Sequence, residues 1–265
     1  MTPTAALTQL LAERSSEGTT CAKPIRPLHL GPLAHSWLVE YGDERAVLRI
    51  DQPAAAAMGL DRATEFSRLT AVAAAGLGPP PIAADVAHGL LLRRHIEGGA
   101  WQAADLRSPA NLQRVAALLR RVHVAQIVAP PLYLDAAIER YVRLAGSGAT
   151  ALGEATQSLL AGCRDPQAPL VFCHNDPVAG NFLSGPGPAD TLWLIDWEYS
   201  GFNEFWFDLA VIHGHHDLPE SLAQSFLDAY FQRPATAMEF EKLAAWVAFY
   251  RSLVSLWQSA LPAPP

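Results

Sequence analysis

Along this chain the apolar positions change period near residue 100, and that change divides the sequence. Leu7, Leu10 and Leu11 recur at helical spacing, and the small polar residues of 15–20, with Gly18 among them, end that helix. Residues 25–30, 36–41 and 46–50 read as strands turned by Gly31-Pro32 and Gly42-Asp43, an antiparallel meander. Residues 54–75 return to helical spacing, with Phe66, Leu69, Thr70 and Ala73 on one side, until Gly76 and the run Gly78-Pro79-Pro80-Pro81. Strands over 82–86 and 90–95 flank His88-Gly89, and Glu97-Gly98-Gly99 loosens the chain like a hinge. Beyond Trp101 helices dominate, over 110–123, 134–144, 151–163, 219–231 and 236–261. The pattern predicts an α+β protein with a small antiparallel sheet in 1–97 and a mainly helical part in 98–265.

Two short apolar runs interrupt the helical part, and each ends in carboxylates. Residues 170–173 stop at His174-Asn175-Asp176, where Pro177 forbids further strand. After the turn Gly185-Pro186-Gly187-Pro188, residues 193–195 form a second run that ends at Asp196 and Glu198. If the two strands are neighbours, Asp176, Asn181, Asp196 and Glu198 converge, an oxygen donor set suited to Mg²⁺ and substrate phosphates. In kinases one Asp accepts the proton of the substrate hydroxyl, an Asn five positions later holds metal, and a second Asp after another strand holds the bridging ion. Asp176, Asn181 and Asp196 follow that order and spacing.

The sequence His-Asn-Asp, four residues, Asn, then Ile-Asp-Trp-Glu-Tyr resembles the aminoglycoside phosphotransferase and choline kinase superfamily. Its Asp-Trp-Glu-Tyr form is most similar to choline, ethanolamine and thiamine kinases. The resemblance is sharp over 170–210, topological over the first hundred residues and weak over the last fifty. It implies a two-lobed, protein-kinase-like fold, with a nucleotide-binding lobe over 1–97, a catalytic and substrate-binding lobe over 98–265, and ATP and Mg²⁺ as cofactors. By the resemblance Asp176 is the catalytic base, and Asn181 and Asp196 hold metal, with Glu198 on a second ion or on the substrate. Arg49 takes the place of the third-strand lysine on the phosphates, and Glu65 pairs with it, with Asp61 as a competitor. An alternating strand also allows Arg49 on a solvated face. Ser36 stands where the family carries a small polar residue beside the phosphates, in a loop that has Gly31 as its one glycine. Backbone near 94–96 is the implied adenine site. His174 and Asp208 support the catalytic loop, and His123 resembles a helix-end histidine of the family, read here as a packing residue.

Composition narrows the substrate without choosing it. A formal net charge of −7 argues against nucleic acid and permits a cationic ligand. Nothing in the sequence predicts membrane insertion or export, and Cys21, Cys163 and Cys173 lack metal-ligand spacing, so the expectation is buried thiols in a cytoplasmic protein, monomer or homodimer. The final helix presents Trp246, Phe249, Tyr250, Leu253, Leu256 and Trp257 as one stripe. That stripe is either core, or with Trp206 and Tyr199 contributes Trp246, Tyr250 and Trp257 to an aromatic cage for a quaternary ammonium. The expected activity is therefore γ-phosphoryl transfer from ATP to the hydroxyl of a small cationic amine of choline, ethanolamine or thiamine type. An aminoglycoside or amino-sugar kinase, favouring an acid-lined site, and a nucleotide-binding pseudokinase are the alternatives; a hydrolase on Cys173-His174 lacks any nucleophile elbow. The cluster His213, His215, His216 and Asp217 lacks a fourth tetrahedral zinc ligand and reads as a polar helix end.

Overall fold

The computed structural model describes residues 1–12, 22–185 and 191–262, and the chain folds as two compact units, Met1–Ile96 and Glu97–Leu261. The break expected over 15–20, Cys21, and the Pro186 to Pro188 part of the expected turn lie outside the described residues. The fold is α+β.

The first unit is a five-stranded antiparallel sheet in the order β1-β2-β3-β5-β4, with β1 Ala22–Leu30, β2 Ala34–Tyr41, β3 Glu44–Asp51, β4 Pro81–Asp85 and β5 Leu90–Arg94. Side chains alternate between faces along each strand. Val39, Ala46, Leu48, Ile50, Leu90 and Leu92 fall on one face and bury against Ala6, Leu7 and Leu10 of helix α1, Pro3–Ala12. Arg49 therefore points the other way, and Ser36, its direct cross-strand partner, shares that face. After the short helix α2, Pro53–Ala57, helix α3, Arg62–Ala74, starts at Asp61, whose Oδ1 accepts the Thr64 N–H at 3.1 Å. This cap sets Glu65 in the first turn.

The second unit opens with α4 Pro109–His123, α5 Leu134–Ala145 and α6 Thr150–Cys163, and closes with α7 Trp206–His215, α8 Glu220–Phe231 and α9 Ala237–Ala260. Helix α9 begins in a capping box, Thr236 with Glu239, and packs against α5, α6 and α7; α4 packs against α8. Between α6 and α7, among the described residues, lie four three-residue strands: β6 Val171–Cys173, β7 Phe182–Ser184, β8 Leu192–Leu194 and β9 Gly201–Asn203. The two apolar runs predicted to be neighbours are not paired. β6 pairs with β9, and β8 pairs with β7. The overlooked strand β7 directly follows Asn181, and it is too short to show a period of its own. Among the described residues no helix is long and apolar enough to cross a membrane.

Candidate active site

The loop that follows β6 is held from beneath by one buried carboxylate. Asp208, in the first turn of α7 and 0% exposed, accepts the backbone N–H of His174 at 3.0 Å and of Asn175 at 2.6 Å. His123 Nε2 lies 3.0 Å from the same carboxylate, and its Nδ1 lies 2.7 Å from the Tyr230 hydroxyl. His123 packs against Phe205 and Tyr230 as expected, and with both ring nitrogens partnered it is also a link in a buried polar chain. The loop needs this support. Asn175 has a left-handed backbone, φ 66°, and its side-chain amide is fixed by the Tyr199 carbonyl at 3.0 Å and by Asn203.

His174 and Asn181 then aim the next residue. The His174 ring stands edge-on to Trp197 at 4.6 Å; its Nε2 meets the Ile195 carbonyl at 2.9 Å and its Nδ1 accepts the Asp176 N–H at 3.3 Å. Burial lowers the His174 pKa, so the ring is neutral with its proton on Nε2. Asn181 Nδ2 donates to the Asp176 carbonyl at 2.8 Å and to Asp176 Oδ2 at 3.2 Å, and the Ile195 N–H donates to the Asn181 carbonyl at 3.0 Å. That last bond carries the strand end bearing Asp196 to the loop bearing Asp176. Asp196 also has a left-handed backbone, φ 64°, which turns it off the end of β8. Burial first, then the charges of Asp196 and Glu198, push the Asp176 carboxyl well above its usual range. A divalent cation relieves repulsion between carboxylates, and Asn181, Asp196 and Glu198 are the oxygen-bearing side chains near Asp176 that would be available to hold one.

Asp176 also faces an aromatic cavity of about 270 Å³ within the second unit, lined among others by Tyr141, Tyr199, Phe207, Tyr250 and Trp257. Two of the predicted cage residues are not there. Trp246 is 0% exposed and packs into the core against Phe207 and Phe249, while Trp206 stacks on Phe205 and contacts Phe231. Helix α9 has neighbours on several sides, so its aromatic stripe spreads over both core and cavity. Tyr141, Phe207 and His215 line the cavity although the sequence pattern did not single them out for it. The polar tips are engaged with one another: Trp257 Nε1–H donates to Tyr199 Oη at 3.2 Å, Tyr199 bonds to Tyr141, and His215 Nδ1 lies 2.8 Å from the Tyr250 hydroxyl. Burial raises the Tyr141 phenol to about 12, so it stays neutral.

His216 is the C-cap of α7, at the polar helix end that was expected, and its Nε2 also accepts the Ala179 N–H at 3.1 Å and braces the loop between Asp176 and Asn181. Burial, then His215 and Arg107, lower its pKa from 6.5 to about 4. Between those values the unfolded chain binds the proton and the folded chain does not, so His216 makes stability fall as pH drops through that window. The melting temperature is expected to decrease from pH 7 to pH 5 more steeply in the wild type than in His216→Gln. Parallel curves would show that His216 does not carry this pH dependence.

In the first unit Arg49 forks onto Glu65, Nη1 to Oε1 at 2.8 Å and Nη2 to Oε2 at 2.6 Å, with Glu65 2% exposed. The solvated alternative for Arg49 is thereby corrected. Asp61 does not compete, being committed to the α3 cap. Burial alone would raise the Glu65 carboxyl, and Arg49 and Arg62 outweigh it and hold it below its usual range. Two further members of this network, Asp51 and Arg62, escaped the sequence reading.

A family model described as the phosphotransferase enzyme family matches residues 24–244. The choline/ethanolamine kinase of Mus musculus is 29% identical over 135 residues, 45% of this chain and 34% of that protein. The match thus spans about a third of the length of that curated relative. Among solved structures, the choline kinase LicA of Streptococcus pneumoniae superposes with a TM-score of 0.77 at 20% identity, covering 94% of this chain and 88% of that one. A structure of LicA in complex with AMP gives a TM-score of 0.76 at 21% identity, covering 94% and 88%. These structures share the fold.

Proposed function

The chain belongs to the phosphotransferase enzyme family, and from that premise we propose that it moves the γ-phosphoryl group of ATP to the hydroxyl of a small alcohol bearing a quaternary ammonium. The cavity beside Asp176 carries this reading. Its lining is largely aromatic and aliphatic, and among the described residues that line it Asp176 is the one carboxylate. A trimethylammonium head presents no N–H donors and is attracted to aromatic faces and to one nearby anion. A primary ammonium brings three donors that this lining leaves largely unpaired, at about 1–3 kcal/mol each. At about 270 Å³ the cavity is below the range of drug-sized ligand pockets, which suits choline better than a multi-ring aminoglycoside. An aminoglycoside would also call for several carboxylates.

In this mechanism Asp176 accepts a hydrogen bond from the substrate hydroxyl and takes its proton while the hydroxyl oxygen bonds to the γ-phosphorus and the bond to the bridging oxygen breaks, releasing ADP. Asn181, Asp196 and Glu198 would hold Mg²⁺, which when bound supplies positive charge to the phosphates. Arg49, oriented by Glu65, pairs with the nucleotide phosphates beside Ser36, and backbone near 94–96 takes the adenine. Tyr199, Tyr250 and Trp257, joined by Tyr141 and Phe207, enclose the cationic head. Asp208 and His174 keep the loop in place and touch no substrate.

A coupled ADP-release assay with Mg·ATP against choline, ethanolamine, thiamine, kanamycin and glucosamine tests the reading. Choline is expected to give the highest kcat/KM, with ethanolamine at least about tenfold lower because of its unpaired donors. Preference for kanamycin would overturn the substrate class. Nucleotide binding with no product from any alcohol would overturn catalysis itself and point to a pseudokinase.

A further inference from the structure

We propose that Asp51 and Arg62 are positioning residues that fix the Arg49–Glu65 pair and, through it, the site of the nucleotide phosphates; the proposal rests on Arg49 contacting those phosphates. The observation behind it is a closed ring of four charges. Strand β3 contributes Arg49 and, two residues on along the same face, Asp51; helix α3 contributes Arg62 and, three residues on, Glu65. The pairing runs crosswise. Arg49 forks onto Glu65, while Arg62 Nε donates to Asp51 Oδ2 at 2.6 Å. Arg62 Nη1 also donates to Glu65 Oε2 at 2.9 Å, and Asp51 Oδ1 lies 3.5 Å from Arg49 Nε.

Each element thus brings one charge of each sign, and only one register pairs them. Displacing the start of α3 along β3 would bring arginine toward arginine and carboxylate toward carboxylate in a largely buried setting. With Arg49 and Glu65 alone, one fork would join the first turn of α3 to β3, while the rest of the helix packs on β4. The Arg62–Asp51 tie adds a second fixed point at that end, beside the one that holds the Arg49 guanidinium.

The structure also makes room for the second tie. Gly89, with φ +64°, backs onto Asp51; a Cβ there would lie 2.7 Å from the Asp51 Cβ and 2.8 Å from Oδ2. The Asp51 N–H donates to the Gly89 carbonyl at 2.9 Å, so strand and turn together aim the carboxylate at Arg62. Neither Asp51 nor Arg62 is needed for the sheet core, which lies on the opposite face.

Titration calorimetry of Mg·ATP on the full chain tests this, with Arg62→Gln, Asp51→Asn, their double variant, Arg62→Lys and Arg49→Ala, beside melting temperatures and the KM for choline. Arg62→Gln and Asp51→Asn are each expected to raise the Mg·ATP Kd about tenfold, as removal of supporting groups does elsewhere, with the choline KM unchanged. The double variant should be no worse than either single one, since both break the same tie. Arg62→Lys, which keeps a charge on Asp51 without the fork, should fall between. A lower melting temperature with an unaltered Kd would make the tie a mere brace and overturn the proposal. If Arg49→Ala weakens nucleotide binding while Arg62→Gln and Asp51→Asn do not, the proposal fails alone; if Arg49→Ala has no effect, the phosphate role of Arg49 fails and the proposal with it.

Discussion

Asp176→Asn is expected to lower kcat by about 10³-fold, the scale of a lost general base combined with lost orientation of the hydroxyl, while the protein folds and binds Mg·ATP. The same substitution should raise the melting temperature of the metal-free protein. The carboxyl of Asp176 sits well above its ordinary value of 3.8 because it is buried and lies beside Asp196 and Glu198. A carboxylate whose folded pKa is raised binds protons more readily in the folded than in the unfolded chain, so its contribution to stability declines as pH rises above that ordinary value. At neutral pH the ionised group is therefore a burden that function retains, and Asn removes the charge while keeping the shape and the bond from Asn181. Saturating Mg²⁺ should narrow the difference, since the cation offsets the same repulsion in the wild type. Thermal melts with and without Mg²⁺, read next to kcat for choline, check both halves. Substantial turnover in a folded Asp176→Asn protein would remove Asp176 from the chemistry, and a lower metal-free melting temperature would mean that the carboxylates do not repel as their proximity implies.

What the sequence disclosed and what it withheld follow one physical division. Asp176, Asn181 and Asp196 could be read because their spacing is set along a single stretch of backbone, with apolar strands on either side that mark where the loop begins. The sheet of the first unit was readable from alternation and turns, and its observed strands lie close to the predicted ones. Contacts that close across long separations were not readable. Asp51 and Arg62 are ordinary charges on a strand end and a helix start until α3 is laid on β3, and His123 meets Asp208 across 85 residues. The pairing of β7 with β8 escaped because three-residue strands carry too little pattern. The stripe on α9 shows the remaining limit. Helical periodicity tells which residues leave solvent, yet Trp246 and Tyr250, four apart and on one side, end in the core and in the cavity wall respectively, because the division depends on the helices packed around α9.

Asp208→Asn is expected to cost about 3–5 kcal/mol of stability, the range found when one partner of a buried polar pair is removed. Asp208 is 0% exposed, and its two oxygens accept from the His174 N–H, the Asn175 N–H and His123 Nε2. An amide has one acceptor oxygen, so its NH₂ must face at least one of these donors, and a buried donor without an acceptor costs about 1–3 kcal/mol. The strain at Asn175 adds to the loss, because its left-handed backbone, φ 66°, is held by the bond to Asp208. The loop that relaxes is the one that aims Asp176, so the folded fraction should also lose about 10²-fold in kcat, as a misplacement of about 1 Å does. A graded series separates this from general damage. Tyr230→Phe removes the far end of the chain, the bond to His123 Nδ1, and should cost about 1 kcal/mol with kcat nearly unchanged. Urea unfolding of the two variants beside the wild type measures both costs. An Asp208→Asn protein within about 1 kcal/mol of wild type would mean the loop keeps its shape without that carboxylate, and the support for Asp176 would then have to come from His174, Asn181 and His216 alone.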